Sequence, residues 1–363
     1  MISKWRFALS HQPEMDLDDA PVHQPLESTW TTQWAPDRLL DGYETLTYTL
    51  ADQPQLAEEG TGCLVSTLIR HHPPRHRRAV LHIHGWNEYF FQTHVAQFFE
   101  DLGYDFYAVD LHRYGRSLRD GELPGYVEDI RDYFEELDAC MEVIRADHNY
   151  VVLSGHSTGG LTASLYASER PKTFVGVILN APWIDMQGSA FFRALTPPVV
   201  RGLSMTSPTW KFPSSDSDLY GRSLHVKYHG EWDYDLSLKR IESQPSRPGW
   251  IKAILNGHDR VAAGLRIDCP VLVLTSARSS DPKQWGEECT STDLALDVDR
   301  IAARVHLLGW HTTLVRLSGA LHDVSLSKPE IRARFFDEIR RWELAYVRSR
   351  SAQDKTAAEL GQE

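Results

Sequence analysis

The stretch Tyr150-Val-Val-Leu-Ser-Gly-His-Ser-Thr-Gly-Gly-Leu161 decides the fold. A β-forming apolar run leads into the turn Gly-x-Ser-x-Gly at 155–159, and helix-compatible residues follow. Such a turn strains the backbone of Ser157, while its glycines let the strand and the helix pass closely. The free N–H groups that begin the helix can face a developing oxyanion. The stretch therefore predicts a nucleophile elbow with Ser157 as nucleophile. Taken alone, it also allows a glycine-rich turn with an incidental serine.

Strand and helix patterns alternate on both sides of this turn. The predicted strands are apolar throughout and lie at 79–84, 105–110, 150–155, 174–180, 270–276 and 312–317. The predicted helices lie at 89–102, 126–147, 158–169, 297–308 and 331–347. Fully apolar strands separated by helices indicate an α/β protein with a mostly parallel sheet covered on both faces. Two earlier runs, 43–50 and 63–70, favour an antiparallel pair at the sheet edge.

The alternation stops over residues 183–262, which are rich in Pro, Ser, Trp and Asp. An insertion between two sheet strands is typical of a cap over the carboxyl ends of the strands. The sequence therefore predicts a core of 41–182 and 263–348 with an inserted cap. Residues 1–40 are expected to form an irregular lead-in, and 349–363 a flexible polar tail.

The composition is that of an ordinary globular protein. The 363 residues are 42% hydrophobic and 24% charged, and the net charge is −12. This charge argues against nucleic acid or an anionic membrane as a partner. No window has the roughly 18 apolar residues of a membrane helix, and the first ten residues lack the apolar core of a signal peptide. We expect a cytoplasmic protein; nothing in the sequence specifies its oligomeric state.

Five segments resemble, in the same order, those of the α/β-hydrolase fold. They are His84-Gly-Trp-Asn-Glu88, Asp110-Leu-His-Arg-Tyr-Gly-Arg-Ser117, the Ser157 turn, Thr292-Asp-Leu-Ala-Leu-Asp297 and Gly319-Ala-Leu-His322. Within this fold the chain is similar to the monoacylglycerol lipase and lysophospholipase branch, also called serine aminopeptidase-like hydrolases. The resemblance extends over 43–348 and is weakest in the cap. It implies a serine ester hydrolase that uses a Ser-His-Asp triad, an acyl-enzyme and no cofactor.

The triad needs a base and an acid besides Ser157. His322 follows the last predicted strand, where this family has its catalytic histidine; the alternative is a histidine that caps the last helix. Three aspartates precede it in the required Ser…Asp…His order. The resemblance favours Asp297 as the second Asp of an Ala-Asp-x-x-x-Asp segment, although Asp297 is also a good helix N-cap. Asp281, which comes soonest after strand 270–276, and Asp293 stay open as alternatives.

An oxyanion hole needs preorganised N–H donors. The residue after the nucleophile, Thr158, offers one, and the resemblance implies the backbone of Trp86 as the other. Glu88 matches an acidic residue expected to order this loop. In the segment 110–117 the first glycine of the family pattern is replaced by Arg113, which leaves the backbone path of this turn open. We expect the loop to be structural, with Arg116 in an ion pair.

No cofactor motif is present and no metal site is expected. The four cysteines, Cys63, Cys140, Cys269 and Cys289, are scattered without ligand spacing. His71, His72 and His76 lie in a basic loop, where no acidic or cysteine neighbour in the sequence completes a ligand set, so a solvated turn is the better interpretation. His82 and His84 form a His-x-His pair that likewise lacks nearby carboxylate ligands.

The substrate pocket is predicted from the apolar residues of the cap. The candidates are His84, Phe191, Phe192, Leu195 and Val199, and the cap stripe fits either packing on the core or an acyl channel. An apolar, covered entrance suits a hydrophobic small-molecule ester resembling a monoacylglycerol or a lysophospholipid. An acyltransferase or a peptidase with the same triad, and a non-catalytic ligand-binding relative, are the competing hypotheses.

Overall fold

A ten-stranded sheet runs through the described part of the chain. The computed structural model describes residues 28–51, 56, 58–59, 62–187, 190–212 and 218–348, and of 190–195 the backbone alone. The predicted tail 349–363 and most of the predicted lead-in lie outside these residues. None of the helices within them has both the length and the apolarity that crossing a bilayer requires.

The sheet is mostly parallel, which confirms the predicted fold class. Its strands are β1 (Thr29–Trp30), β2 (Ala35–Pro36), β3 (Glu44–Leu50), β4 (Leu64–Arg70), β5 (Arg78–Ile83), β6 (Asp105–Asp110), β7 (Tyr150–His156), β8 (Gly176–Asn180), β9 (Val271–Ser276) and β10 (Thr312–Leu317). The strand order is β1-β3-β4-β6-β5-β7-β8-β9-β10, with β2 paired to β3. The strands from β6 to β10 in this order are parallel, whereas β1 to β4 pair antiparallel.

Eight α-helices are present in the described residues. They are α1 (Thr93–Asp101), α2 (Phe134–Arg145), α3 (Thr158–Glu169), α4 (Ala190–Thr206), α5 (Leu219–Leu224), α6 (Pro248–Ala262), α7 (Val298–Arg304) and α8 (Pro329–Trp342). The helix predicted from residue 126 begins later, because the Asp129 side chain caps a 3-10 turn at Ile130–Tyr133 that precedes α2. The predicted closing helix ends at Trp342 and continues as a π-helical turn over Glu343–Arg348.

The described end of the lead-in is not irregular, which corrects the prediction for residues 1–40. Both β1 and β2 pair antiparallel with β3 and extend the edge of the sheet. Trp30 packs on Tyr48 with ring centroids 4.9 Å apart, and Trp34 lies 6.5 Å from the ring of Tyr107. Aromatic residues that cover a sheet edge stabilise these short strands. Strands of two residues have no periodicity that a sequence pattern can detect.

The sheet carries a core on each face, because successive side chains of a strand point to opposite sides. Leu153 of β7 packs in a cluster with Leu137 of α2. Its neighbour Val152 packs on the other face in a cluster with Phe99 of α1 and Phe335 of α8. Burial on both faces explains why the central strands are largely apolar and do not alternate between apolar and polar residues.

The segment between β8 and β9 lies over the carboxyl ends of the strands. It contains α4, α5 and α6. Residues 183–262, for which the sequence predicts a cap, are called the cap below. Trp250 of α6 stacks on Trp86, which follows β5, with ring centroids 3.7 Å apart. Tyr220 of α5 contacts His322, which follows β10, at 5.6 Å between centroids. The cap therefore contacts two of the loops that the sheet presents at this edge.

The start of α3 approaches the end of β5 at backbone contact. A Cβ atom added to Gly159 would lie 2.2 Å from the His84 carbonyl oxygen and 2.4 Å from that of Ile83. A Cβ on Gly155 would lie 2.5 Å from the Gly159 oxygen. Only glycine fits at these two positions, and the contact sets the distance between the Ser157 turn and the loop after β5.

We predict that Gly159→Ala destabilises the fold by about 1–3 kcal/mol or more, because the added methyl group overpacks a backbone contact. Gly202→Ala is the matched control, since a Cβ there meets nothing within 4 Å inside helix α4. This substitution should be neutral or stabilising by roughly 0.5–1 kcal/mol. Urea denaturation of both variants measures the difference. Equal midpoints for Gly159→Ala and the wild type would contradict the close approach.

Candidate active site

Ser157 lies at the junction of β7 and α3 in a strained backbone conformation. Its φ is 53° and its ψ is −115°, which a residue other than glycine rarely adopts. Hydrogen bonds hold this geometry: the Ser157 N–H donates to the Asn180 carbonyl at 3.0 Å, and the Ser157 carbonyl accepts from the Trp183 N–H at 2.9 Å. Asn180 is the last residue of the adjacent strand β8, and Trp183 comes three residues after it. The turn therefore has the elbow geometry that the sequence predicts.

The side chains of Ser157, His322 and Asp293 form a hydrogen-bonded chain. His322 Nε2 lies 3.0 Å from Ser157 Oγ, and His322 Nδ1 lies 2.9 Å from Asp293 Oδ2. Ser157 is 7% exposed, His322 4% and Asp293 0%. The three residues come from the carboxyl-terminal sides of β7, β10 and β9, where a parallel sheet brings its loops together.

The hydrogen bonds around Asp293 fix the protonation pattern of this chain. Asp293 Oδ1 accepts from the N–H groups of Ala295 and Leu296, both at 2.8 Å, so Oδ2 is the oxygen that faces His322. An acceptor against Nδ1 places the imidazole proton there and leaves the Nε2 lone pair for the Ser157 hydroxyl. The arrangement is therefore suited to withdrawing the proton of Ser157 Oγ.

The structure corrects the choice of acid. Asp297, which the family resemblance favours, is the N-cap of α7, and its Oδ1 accepts from the N–H groups of Asp299 and Arg300. Asp281 is exposed and pairs with Lys283 at 2.6 Å. Neither is the carboxylate that His322 contacts.

A backbone excursion explains why Asp293 is hard to find from the sequence. Ser279 and Asp293 form a parallel β-bridge, in which the Asp293 N–H donates to the Arg278 carbonyl and the Ser280 N–H to the Asp293 carbonyl. The chain therefore leaves the end of β9, loops out through 281–292 and returns to the same place. Asp293 is distant from β9 along the sequence but adjacent to it in space.

The loop after β5 presents the Trp86 N–H. His84 Nδ1 donates to the Gly85 carbonyl at 2.8 Å, and His84 Nε2 accepts from the Leu111 N–H at 3.1 Å. The N–H of a trans peptide points opposite to its carbonyl, so a Gly85 carbonyl held by His84 aims the Trp86 N–H away from this ring. His84, predicted to line the substrate pocket, uses both ring nitrogens on the backbone, and its ring also borders the small cavity next to Gly85 and Thr158.

Thr158 is the first residue of α3, so its N–H belongs to the unpaired donors of the helix N-terminus. A Cβ added to Gly85 would lie 3.2 Å from Ser157 Cβ, which shows how closely the two donor segments meet at the nucleophile. The predicted donors are thus on the two segments that meet at Ser157: Trp86 on the loop after β5, and Thr158 at the start of α3.

Glu88 ties the same loop to the protein interior. It is 1% exposed, its Oε2 accepts from the Gly85 N–H at 2.9 Å, and its Oε1 lies 3.1 Å from Lys239 Nζ. Burial by itself would raise the pKa of Glu88, but the Lys239 ammonium, His156 and the Gly85 N–H together lower it below the ordinary value. Glu88 is therefore a buried carboxylate that is stabilised in its ionised form.

A second buried carboxylate, Asp323, lies behind His322. Its oxygens accept from Asn180 Nδ2 at 2.7 Å, from Ser325 Oγ at 2.6 Å and from the Ser325 N–H at 3.0 Å. Burial would raise the pKa of Asp323, yet His156, these hydrogen bonds and Lys239 lower it well below its usual range. Burial lowers the pKa of His156 itself, so we attribute the effect at neutral pH mainly to the hydrogen bonds and to Lys239.

The loop after β6 has a side chain at the position where the family pattern has a glycine. Arg113, which replaces a glycine, has φ 64°, the left-handed conformation that glycine adopts readily. Its guanidinium pairs with the buried Glu59 carboxylate and donates to the Tyr126 carbonyl. Arg116 pairs with Asp110 at 2.9 Å, as the sequence suggests. Two buried ion pairs therefore hold a turn in which a side chain is normally unfavourable.

Of the cap residues predicted to line a substrate pocket, Val199 is the one whose side chain the structure describes. Phe191, Phe192 and Leu195 lie on α4, and their side chains are outside the described residues. Val199 is 58% exposed on α4, which corrects its prediction, whereas the adjacent Val200 is buried.

Three tryptophans line the cap side of the Ser157 turn, and we call Trp86, Trp183 and Trp250 the tryptophan cluster. Trp250 is stacked between the other two, 3.7 Å from Trp86 and 5.8 Å from Trp183 between centroids. A cavity of about 10 Å³ lies beside it, bounded also by Gly85 and Thr158. This space suffices for about one water molecule, so an acyl group requires side chains to move.

Two groups of residues in the described chain have ligand atoms close enough for a metal ion. In one, Glu88, His156 and Asp323, the carboxylates already bind Lys239 and neighbouring donors. In the other, His71 and His72 lie beside Glu100, which contacts His71 Nδ1 at 3.0 Å. The acidic neighbour that the sequence did not supply next to these histidines thus comes from α1.

Comparisons with known proteins agree with the fold. The family described as Serine aminopeptidase, S33 matches residues 74–279, more than half of the chain. The match includes Ser157 and the loop after β5, and ends before Asp293 and His322. A monoacylglycerol lipase of Paleococcus ferrophilus has a similar structure, with a TM-score of 0.55, 19% identity, and coverage of 72% of this chain and 92% of that one. This likeness supports the α/β-hydrolase fold.

Two curated relatives are similar over part of their length. A phospholipase of Bacillus subtilis (strain 168), YtpA, is 28% identical over 44% of this chain and 66% of its own length. A monoacylglycerol lipase of Mycolicibacterium smegmatis is 25% identical over 41% of this chain and 53% of its own length. The chain therefore spans a little over half to about two thirds of the curated relatives that it matches.

We predict that Asp293→Asn slows the reaction of Ser157 with a fluorophosphonate by orders of magnitude, about 10⁴-fold where the acid fixes the histidine tautomer. Asp297→Ala is the matched control. It should keep the wild-type labelling rate and cost about 0.5–2 kcal/mol of stability through the lost helix cap. Labelling rates followed by mass spectrometry test both variants. The reverse order of effects would restore Asp297 as the acid.

A second prediction concerns stability and pH. An aspartate with a lowered folded-state pKa contributes stability above its unfolded pKa, about 3.9, and loses that contribution as the pH falls. Asp323→Asn should therefore cost about 1–3 kcal/mol at pH 7, and the difference from wild type should shrink as the pH falls below about 4. Urea denaturation between pH 7 and pH 3 measures it. Asp281→Asn, at an exposed site, should stay within about 0.5 kcal/mol of wild type.

Proposed function

The chain belongs to the family described as Serine aminopeptidase, S33, and from this membership together with the site geometry we propose that it is a carboxylic ester hydrolase with Ser157 as nucleophile. The observation that carries the proposal is the hydrogen-bonded chain from Ser157 Oγ through His322 to Asp293. A serine hydroxyl is a weak nucleophile unless a base lies within hydrogen-bond reach. His322 Nε2 at 3.0 Å meets this requirement.

The reaction follows from the protonation pattern. Ser157 Oγ attacks the acyl carbon while its proton passes to His322 Nε2, and Asp293 stabilises the imidazolium that results. Collapse of the tetrahedral intermediate breaks the bond to the leaving alcohol, which takes the proton from Nε2. Water then repeats the sequence on the acyl-enzyme: it gives a proton to Nε2, attacks the acyl carbon and releases the carboxylic acid and free Ser157.

The developing oxyanion is assigned to the N–H groups of Trp86 and Thr158. Support comes from their positions on the two segments that meet at Ser157, and from the His84 hydrogen bond that fixes the Gly85–Trp86 peptide. Donors held in place before the reaction lower the barrier because they need no reorganisation when charge develops.

A hydrophobic ester of the monoacylglycerol or lysophospholipid kind is the proposed substrate. The tryptophan cluster supplies apolar surface next to the nucleophile, which favours an acyl chain over a charged group. The relatives named as a phospholipase and a monoacylglycerol lipase act on lipid esters by their names, which supports the same class.

A peptidase is the second candidate, because the family description names an aminopeptidase. An aminopeptidase needs a free carboxylate for the α-ammonium group of its substrate. Among the described residues, two buried carboxylates beside the site are already engaged: Glu88 by Lys239 and the Gly85 N–H, and Asp323 by Asn180 and Ser325. The ester hydrolase is therefore the better fit. Acyl transfer would use the same triad and differs only in the acceptor.

We predict that the protein hydrolyses medium- and long-chain monoacylglycerols or lysophospholipids, and that Ser157→Ala abolishes this turnover while the fold is retained. Both substrates should be assayed by product analysis beside p-nitrophenyl esters of two to sixteen carbons and aminoacyl-p-nitroanilides. Loss of the Ser157 nucleophile should cost about 10⁶-fold in kcat.

The panel separates the hypotheses by their products. Free fatty acid identifies hydrolysis, whereas a new ester formed with added glycerol identifies acyl transfer. Faster cleavage of anilides than of esters would favour the peptidase. Ester turnover that persists in Ser157→Ala would overturn the assignment of the nucleophile.

A further inference from the structure

One segment of the cap is bound to the loop that carries the Trp86 N–H. The Asp235 N–H donates to the Tyr89 hydroxyl at 2.8 Å. Asn87 Nδ2 donates to the Arg240 carbonyl at 2.8 Å, and the Arg240 N–H donates back to Asn87 Oδ1 at 3.3 Å. These reciprocal bonds resemble those between two peptide groups. The cap segment 235–240 is therefore hydrogen-bonded to the loop after β5 and does not merely cover it.

Lys239 lies at the centre of this contact and is itself buried. It is 6% exposed, and its Nζ lies 3.1 Å from Glu88 Oε1. The ammonium also lies 5.9 Å from the ring of Phe91 and 5.8 Å from that of Tyr234, within the range of cation–π attraction. Lysine is almost never fully buried without a charged partner, so the Glu88 carboxylate accounts for its position.

Glu88 links this lysine to the peptide that carries the oxyanion donor. The carboxylate uses Oε1 for Lys239 and Oε2 for the Gly85 N–H. On the other side of the same residue, the Gly85 carbonyl accepts from His84. Both the N–H and the carbonyl of Gly85 are therefore hydrogen-bonded. The Trp86 N–H belongs to the same peptide group as this carbonyl, so its direction is fixed together with it.

Several charged and titratable groups surround Glu88. His156 Nε2 lies 3.9 Å from Glu88 Oε2, and the electrostatic influence of Asp323 also acts on Glu88. The field of Glu88 in turn acts on further groups, namely His82, Tyr220 and Tyr234. Lys239 is the one permanent cation among these described groups, so it compensates two buried carboxylates. Its loss would leave two negative charges in a region with little access to water.

We propose that Lys239 is a positioning residue for catalysis: its ammonium neutralises the buried Glu88 carboxylate, which then holds Gly85 and so sets the direction of the Trp86 N–H. This inference rests on the proposed ester hydrolase activity. It makes a cap residue part of the apparatus that stabilises the transition state, although Lys239 touches neither Ser157 nor substrate.

Lys239→Met tests the inference through kinetics. Removing one oxyanion donor costs about 10²–10³ in kcat, so displacing one should cost on the order of 10- to 100-fold. KM should change less than about threefold, because this donor acts in the transition state rather than on bound substrate. Without the cation the Glu88 pKa rises, so the acid limb of the kcat profile should move to higher pH. Lys252→Met is the matched control, since Lys252 also lies in the cap and pairs with Glu128 at 3.3 Å, but at the surface.

A double-variant comparison separates positioning through Glu88 from a direct field on His322. If Lys239 acts through Glu88, Lys239→Met should cost less than about threefold in a Glu88→Gln background, where its remaining buried carboxylate, Asp323, keeps its hydrogen bonds to Asn180 and Ser325. Equal costs in both backgrounds would overturn the inference, because a direct field on His322 does not need Glu88. Lys239→Arg keeps the charge and should retain kcat and the acid limb; a loss equal to that of Lys239→Met would also overturn it.

Two controls distinguish a failure of this inference from an unstable variant and from a wrong proposed function. Far-UV circular dichroism and a urea midpoint establish that each variant is folded, and the double variant leaves one buried carboxylate, Asp323, without a cation instead of two. Wild-type turnover that is lost in Ser157→Ala first establishes the activity. With that activity present, a kcat for Lys239→Met equal to that for Lys252→Met overturns this inference alone.

Discussion

The contact between the start of α3 and the end of β5 is the constraint on which the site depends. Gly159 lies against the backbone of Ile83 and His84 so closely that no side chain fits between them. This contact brings the Ser157 turn and the loop after β5 together. It therefore places the nucleophile and both proposed oxyanion donors within one small region before any substrate binds. The strained φ of Ser157 is maintained by β8 through Asn180 and by Trp183 beyond it.

The sequence predicts those features that arise from local pattern or from the order of elements. Apolar strands buried on two faces gave the parallel sheet, and the Gly-x-Ser-x-Gly turn identified Ser157. His322 was found because it follows the last strand. The family resemblance favoured Asp297 as the acid. The local backbone does not separate it from Asp293, because each carboxylate accepts from the N–H groups two and three residues further along the chain. Non-local contacts, the β-bridge to Ser279 and the hydrogen bond to His322, distinguish Asp293.

Other differences have the same origin in non-local contacts. Arg113 has the left-handed conformation that glycine adopts readily, and its guanidinium pairs with buried Glu59, which is 54 residues away. Lys239 gave no signal in the sequence, since its partner Glu88 lies 151 residues earlier. Pairing of a buried charge depends on which segments the fold brings together, so it is visible only in three dimensions. The short strands β1 and β2 escaped prediction because two residues carry no periodicity.

The bridge between Ser279 and Asp293 separates the position of the acid from the length of chain that precedes it. Two backbone hydrogen bonds close the excursion 281–292, so residues added or removed inside it need not displace the carboxylate. Loop-closure entropy changes slowly with length, by roughly 0.6 kcal/mol for each doubling. The excursion is thus a place where the chain can vary in length, or accept an inserted sequence, at little cost to the site. An acid held in this way is defined by the strand end to which it returns, and not by its distance along the sequence.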